Sequence, residues 1–271
     1  MNVYEYFREN FKRAPESEAL VGDSRFTYAE LDERAGEIAG WVDSNTSDGG
    51  RVAVLMHDCP EYVAVVLGIW RAGRVACPVN TMLSPDETEY VIRNSDAGTV
   101  VHSDVLGTTA EEMADRVGAS AVGVGELDAS PVEVATSSDD DTAMVMHTSG
   151  TTGRPKGVVH THRNITAQVE CGVSFARLGR DDTVAVPVPL FHVGGFHVGV
   201  LMSLFSGGTV AVQEWWNAED WARIVEETGA TVTGMVPTMM VDVIETEAVQ
   251  EYDVSSLRLC LYGGSSASAS V

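Results

Sequence analysis

The chain has 271 residues, with 40 Asp or Glu against 17 Lys or Arg and a net charge of -23. Such a field repels polyanions, which excludes nucleic acid and an anionic membrane face as partners and means that any phosphate must be held locally. The length exceeds one average domain, so one large α/β unit or two packed subdomains with a sizeable core are expected. The acidity runs from Glu5 to Glu251, with "DDD" at 139 to 141 as the tight run. We read it as a solvated surface of the halophilic kind rather than an acidic binding tail. Cysteines at 59, 77, 171 and 260 form no CxxC pair, so neither a disulfide framework nor a zinc cluster is expected, and reduced core positions are. No basic flank precedes an apolar stretch at "MNVYEYFREN", and runs such as "VAVVLGIW" are too short to span a bilayer, which predicts a soluble cytoplasmic protein without a membrane span.

In chain order, "TYAE" makes Thr27 a helix cap with Glu30 three residues on, and Leu31, Ala35, Ile38 and Val42 form one apolar stripe. A second cap follows at "SPDE", with Ser84 capping, Pro85 in the first helical position and Glu87 reaching back. Short β-branched runs predict strands at 51–56, 74–79, 99–103, 143–147, 183–188, 209–213, 231–236 and 257–262. Helical patterns lie between them, among them "EYVAVVLGIWRAG" and "NAEDWARIVEETGA", the latter capped by Asn217 and stopped by Gly229. The alternation implies mainly parallel sheets covered on both faces, with ligands at the carboxyl ends of the strands. Residues 127 to 142, "LDASPVEVATSSDDDT", read as an exposed connector between two such units.

The stretch "HTSGTTGRPKG" (147 to 157) carries three glycines, four hydroxyls and two cations. A Walker A loop needs glycine directly before its lysine and a helix after it; here Pro155 precedes Lys156 and the strand-like "VVHTH" follows. Glycines let backbone amides converge on an anion and hydroxyls add donors, so composition leaves two readings open, a phosphate loop and a surface loop.

"TSGTTGRPKG" followed by "VVHTHRN" resembles the signature of the AMP-forming adenylating superfamily, which includes acyl-CoA synthetases. "FTYAELDERA" (26 to 35), "WRAGRVACPVNTMLSPDE" (70 to 87), "PLFHVGG" (189 to 195) and "LRLCLYGGSSAS" (257 to 268) are similar to further motifs of that family, in its order. The resemblance implies an α/β fold of two packed, mainly parallel sheets with helices on both faces, the incomplete N-terminal domain of such an enzyme. The expected partition is 50–170 for the sheet unit bearing the loop and 1–49 plus 171–271 for the second unit.

By the same resemblance the substrates are ATP, a small carboxylic acid and coenzyme A. The acid attacks the α-phosphorus to give an acyl-adenylate and pyrophosphate, and a thiol then takes the acyl group. Thr148, Ser149, Gly150, Thr151, Thr152 and Gly153 would line the phosphates beside Lys156, with Thr148 also near Mg²⁺. Gly263, Gly264 and Ser265 would form the adenine wall; without the resemblance they read equally as a strand-to-loop turn. His192 would border the acyl-carboxylate pocket together with Gly194 and Gly195, where a lone histidine among apolar residues otherwise reads as core. Gly194, Gly195 and Gly199 either widen an acyl tunnel or permit close helix packing. "CPVN", with Asn80, and "PLFHVGGF" resemble acyl-CoA synthetases acting on fatty or aromatic acids.

The family's later parts, a Tyr-Gly-x-Thr-Glu motif, a ribose aspartate and a C-terminal domain with a distal lysine, have no match here. The chain is therefore expected to be either the N-terminal part of an acyl-CoA synthetase, truncated or working with a separate C-terminal half, or a degenerate module that binds nucleotide or a partner without catalysis. A metal site recruiting His160, His162, His192 and His197 lacks HExxH and a neighbouring carboxylate, although strand alternation would put 160 and 162 on one face. A serine hydrolase reading of "GGSSA" lacks the downstream acid and histidine.

Overall fold

A computed structural model describes residues 1–148 and 154–265. Among them the strands are β1 (Glu18–Val21), β2 (Arg25–Thr27), β3 (Arg51–Leu55), β4 (Val75–Pro78), β5 (Thr99–His102) and β6 (Ser120–Gly123). They continue with β7 (Thr142–Thr148), β8 (Lys156–Thr161), β9 (Thr183–Val186), β10 (Thr209–Val212), β11 (Val232–Met235) and β12 (Leu259–Tyr262). The chain divides into two compact units, the first comprising Met1–Phe11, Ala29–His57 and Glu61–Ala167, the second Lys12–Tyr28, Asp58–Pro60 and Gln168–Val271. Residues 1–49 are thus shared between the units: the 18-residue helix Tyr28–Asn45 belongs almost wholly to the first, because its apolar stripe packs there.

The first unit holds a six-stranded sheet in the order β6-β5-β3-β4-β7-β8, parallel throughout except for the antiparallel pair β7 and β8. β4 and β5 are buried at every position, as strands covered on both faces must be, which is why they read as unbroken apolar runs. Leu31, Ala35, Ile38 and Val42 are all fully buried. That stripe meets the helix Pro60–Arg71 so closely that a Cβ on Gly68 would lie 2.6 Å from Ile38 Cγ2. On the same helix Trp70 is fully buried and its indole N–H donates to the Ala143 carbonyl at 2.7 Å, which satisfies the polar edge of a large apolar side chain.

Residues 127–138 do not connect the two units; they form a strap inside the first. Arg71 Nε donates to the Val132 carbonyl at 2.9 Å, Arg34 Nη1 to the Leu127 carbonyl at 2.9 Å, and the Ala135 amide to the Arg71 carbonyl at 2.8 Å. The strap lies against glycines of the helix Tyr28–Asn45: a Cβ on Gly40 would sit 2.1 Å from the Ser130 carbonyl oxygen, and one on Gly36 3.0 Å from Pro131 Cβ. The composition of this stretch suits a connector, but the backbone hydrogen-bond partners that fix it lie far away in sequence.

The second unit holds the sheet β12-β11-β9-β10-β1-β2, parallel except for the β1–β2 hairpin. Helix Ala218–Thr228 follows the sequence pattern closely, with the Asn217 side chain accepting from the Asp220 amide at 2.9 Å and Gly229 at φ +61° ending it. At the base of the sheet Arg258 reaches both carboxylate oxygens of Asp182, Nε to Oδ1 at 2.9 Å and Nη2 to Oδ2 at 2.8 Å. Among the described residues β12 and β2 are the two edge strands of this sheet, and Tyr262 at the end of β12 is exposed.

Of the cysteines only Cys77 is buried; Cys171 and Cys260 are exposed and Cys59 is intermediate, so a core role holds for Cys77 alone. Among the described residues no helix is long and apolar enough to cross a membrane.

Candidate functional site

Two candidate regions lie in separate units. In the first unit, β7 and β8 form a hairpin whose register pairs Thr148 with Lys156 and His147 with Gly157. Directly opposed residues of an antiparallel pair share a face with Cβ atoms about 5 Å apart. The hairpin therefore sets Thr148 and the exposed Lys156 side by side at its mouth, a hydroxyl-bearing residue opposite a cationic one. Ser149, Gly150, Thr151, Thr152 and Gly153 lie outside the described residues.

One helix tethers both arms of this hairpin. Helix Pro85–Ser95 starts with the expected capping box, in which Ser84 accepts from the Glu87 amide and the Glu87 carboxylate accepts from the Ser84 amide at 3.0 Å. Its Asn94 Oδ1 contacts His147 Nε2 at 3.0 Å, on β7, and its Tyr90 ring lies 5.3 Å beneath the Arg154 guanidinium, just before β8. Burial lowers the His147 pKa, which favours the neutral ring, and in that form an Nε2 facing an amide oxygen is the donor. Gly157 permits this approach, since a Cβ there would sit 3.3 Å from His147 Nε2 and 3.4 Å from Asn94 Oδ1. His147 and Arg154 fall within "HTSGTTGRPKG" without a role assigned from the sequence, and Tyr90 and Asn94 lie outside the quoted motifs; the i, i+4 spacing of 90 and 94 is the sequence feature that puts them on one helix face.

β8 ends at Thr161, and His162 opens the helix His162–Ala176. The strand alternation expected to align His160 with His162 is thereby broken. His162 instead accepts the Val3 amide on Nδ1 at 3.1 Å, and burial pushes its pKa down to about 4. Among the described residues no group of three His, Cys, Asp or Glu side chains gathers at metal-binding distance.

In the second unit, β9 leads through Pro187–Pro189 into the "PLFHVGG" segment and then into a π-helical stretch, Gly194–Leu201. Such wide turns are rare and recur at functional sites. His192 is exposed, its ring 5.9 Å from that of Phe191, so it is not a core histidine; the buried histidine of this segment is His197, whose Nδ1 meets Gln168 Oε1 at 3.0 Å. The glycines divide by role. A Cβ on Gly195 would lie 2.3 Å from the carbonyl oxygens of Val188 and Pro189, and one on Gly199 2.7 Å from Val186 Cγ2, so both serve close packing. Gly194 meets only Val188 Cγ1 at an ordinary 3.5 Å and lines an apolar cavity with Val184, Val186, Val198, Met202 and Leu261. The cavity's volume is about 20 Å³, little more than one water.

Gly263, Gly264 and Ser265 leave the carboxyl end of β12, where the Gly263 amide donates to the Met235 carbonyl of parallel β11 at 3.3 Å. Gly264 adopts φ +83°, a conformation that favours glycine, and among the described residues a Cβ on Gly263 would meet nothing within 4 Å. Gly263 and Gly264 thus place no side chain at the carboxyl end of a strand in a parallel sheet, where ligands are expected. Sequence reasoning missed Asp58 altogether. It is 9% exposed, and its Oδ1 accepts the Leu190 amide at 3.0 Å at the start of the "LFHVGG" run.

A family model described as AMP-binding enzyme matches residues 7–271. Among curated proteins, the chain is 32% identical over 257 residues to the feruloyl-CoA synthase of Amycolatopsis sp, covering 90% of this chain and 50% of that protein. It is 27% identical over 278 residues to the long-chain-fatty-acid CoA ligase FadD13 of Mycobacterium tuberculosis, covering 97% and 55% respectively. The chain thus spans about half the length of these curated relatives. Among solved structures, the inhibitor-bound N-terminal domain of FACL13 from M. tuberculosis superposes with a TM-score of 0.91 at 26% identity, over 99% of this chain and 71% of that one. ATP-bound MatB from Rhodopseudomonas palustris gives 0.87 at 25% identity, over 98% and 55%. With a fold and a hairpin of this kind, and a family match across nearly its whole length, the chain belongs to the AMP-binding enzyme family.

Proposed function

We propose that this protein takes part in the MgATP-dependent activation of a fatty or aromatic carboxylic acid to its acyl-adenylate, with coenzyme A as the acceptor of the acyl group. The observation that carries this reading is the hairpin mouth, where the register pairs Thr148 with Lys156 on either side of the "SGTTG" run. In-line displacement at phosphorus demands positioning and charge neutralisation more than covalent chemistry, and a tethered hairpin supplies the first. The 148–153 run and Lys156 hold the phosphates, Gly263, Gly264 and Ser265 back the adenine, and His192 with Gly194 and Gly195 borders the acid. The donor set suits Mg²⁺, which takes one or two protein oxygens and completes its shell with phosphate and water rather than needing an all-protein cage. Bound there, with Thr148 as its protein oxygen, it would neutralise phosphate charge.

The acid class is supported by the apolar lining of the cavity beside Gly194 and by the feruloyl and long-chain fatty substrates in the names of the relatives. At about 20 Å³ the cavity is smaller than a ring or chain, and Met202 is the most adaptable of its lining side chains. The test is ATP-pyrophosphate exchange over ferulate, coumarate, octanoate and palmitate, with amino acids as the contrasting set. Exchange with an aromatic or fatty acid is expected; exchange confined to amino acids would overturn the acid class, and no MgATP binding by calorimetry would overturn the reading as a whole.

A further inference from the structure

We infer that Asp58 is the positioning residue of the acid-side segment, holding the Leu190 amide so that the turn presenting His192 keeps its place. The segment 188–196 is pinned from within by its own backbone: the His192 amide donates to the Pro189 carbonyl at 3.0 Å, the Phe196 amide to the His192 carbonyl at 2.9 Å, and Gly195 packs against the carbonyls of Val188 and Pro189. Those bonds fix its shape. Asp58 fixes its location, because its carboxylate comes from a chain position 132 residues earlier and meets a fully buried residue, Leu190. The corner carrying Asp58 is itself seated on the end of β1, where a Cβ on Gly22 would lie 2.8 Å from Pro60 Cδ. A chain that needed only to cap this amide could have used a serine or an asparagine, and a buried carboxylate is the costlier choice.

That choice makes the contact sensitive to protonation. Burial pushes the Asp58 carboxyl up to about 7, with the Leu190 amide pulling it down and the Glu214 carboxylate adding to the rise. Glu214, which follows β10, is the charged group acting on it; His57 and Cys59 flank it in the chain, and His192 lies two residues beyond the amide it holds. Near neutrality the grip on Leu190 therefore passes from a charged acceptor to a neutral one as a proton arrives.

The assignment of His192 to the acid rests on the proposed function, whereas the Asp58–Leu190 contact does not, so the two are tested separately. In ¹⁵N-labelled protein taken from pH 5.5 to 8.5, the Leu190 amide proton is expected to follow one titration with a midpoint near 7. Asp58→Asn keeps an acceptor oxygen without the charge: the titration should vanish while the amide stays slow to exchange. Asp58→Ala should speed Leu190 exchange by about tenfold, the loss expected for one buried hydrogen bond. A titration that persists in Asp58→Asn, as it would if His192, His57 or Glu214 were its source, overturns the inference, as does wild-type exchange in Asp58→Ala. In pyrophosphate exchange, Asp58→Ala should raise the KM for the acid with the KM for ATP unchanged, and Asp58→Asn should restore it. A normal amide titration with no effect on the acid KM would refute the positioning role while leaving the contact itself established.

Discussion

Lys156→Ala is expected to lower kcat/KM for ATP in pyrophosphate exchange by about a hundredfold, about 2.7 kcal/mol of transition-state stabilisation, with the KM for the acid unchanged. The reasoning rests on where the register puts this residue. Thr148 and Lys156 are paired across the hairpin mouth, so Lys156 stands at the end of β8 from which the "SGTTG" run of the sequence is three residues away. Lys156 and Lys12 are the two lysines of the chain. Many of the arginines near carboxylates are paired with them, Arg34 with Glu37 and Glu61, Arg116 with Glu89 and Glu112, Arg223 with Asp220 and Glu227. A compact, strongly hydrated point charge at this position is suited to phosphate oxygens that move during reaction. Because Lys156 is exposed, the substitution should change folding stability by no more than about 0.5 kcal/mol in a urea melt. A tenfold rise in the acid KM with ATP use intact would show that the loop serves the other substrate.

Gly40→Ala should destabilise the protein by about 2 kcal/mol in urea denaturation, against the usual sign for this exchange. In an open helix interior the same change stabilises by about 1 kcal/mol, since alanine is the better helix former. Here the new methyl would arrive 2.1 Å from the Ser130 carbonyl oxygen and 3.0 Å from the Ser130 carbonyl carbon, both backbone atoms without a rotamer to escape into. Either the helix shifts or the 127–138 strap lifts, and lifting loosens the bonds that tie Val132 and Ala135 to Arg71 and Leu127 to Arg34. Gly36→Ala is a milder version of the same test, because its clash is with the Pro131 side chain at 3.0 Å. Stabilisation by Gly40→Ala would mean that the strap does not rest on this helix.

Both variants probe features that differ in how visible they are in the sequence. The capping box at Ser84, the cap at Asn217 and the stripe from Leu31 to Val42 are legible because helix signals are local and repeat every three or four residues. Eight strands stand out as β-branched runs. β1 (EALV), β2 (RFT) and β6 (SAVG) escaped, each with a single β-branched residue and therefore no run to read. The π-helical stretch "GGFHVGVL" is apolar without a helical period, so its sequence gives no hint of the wide turn. Residues 127–138 look like a connector because their partners are arginines and glycines more than fifty residues away. His162 looks like a strand residue because "VVHTH" alternates, whereas in the fold it opens a helix and its ring accepts the Val3 amide, a partner 159 residues away. Of the candidate site, the hairpin and the glycines at 194, 195, 263 and 264 were legible as residue types. Asp58 was not, since a single carboxylate before a helix looks like a surface residue until the fold buries it.

The exposed Lys156 also bears on how fast a nucleotide arrives. Most of the -23 charge is spread over the surface and repels a polyanion at long range, whereas the lysine acts at contact. Added salt shortens the Debye length from about 10 Å at 0.1 M to about 3 Å at 1 M, so it removes the distant repulsion before it weakens the local pair. The association rate constant for MgATP, read by stopped flow, should therefore rise with ionic strength, the reverse of the behaviour of a phosphate site steered by a positive surface.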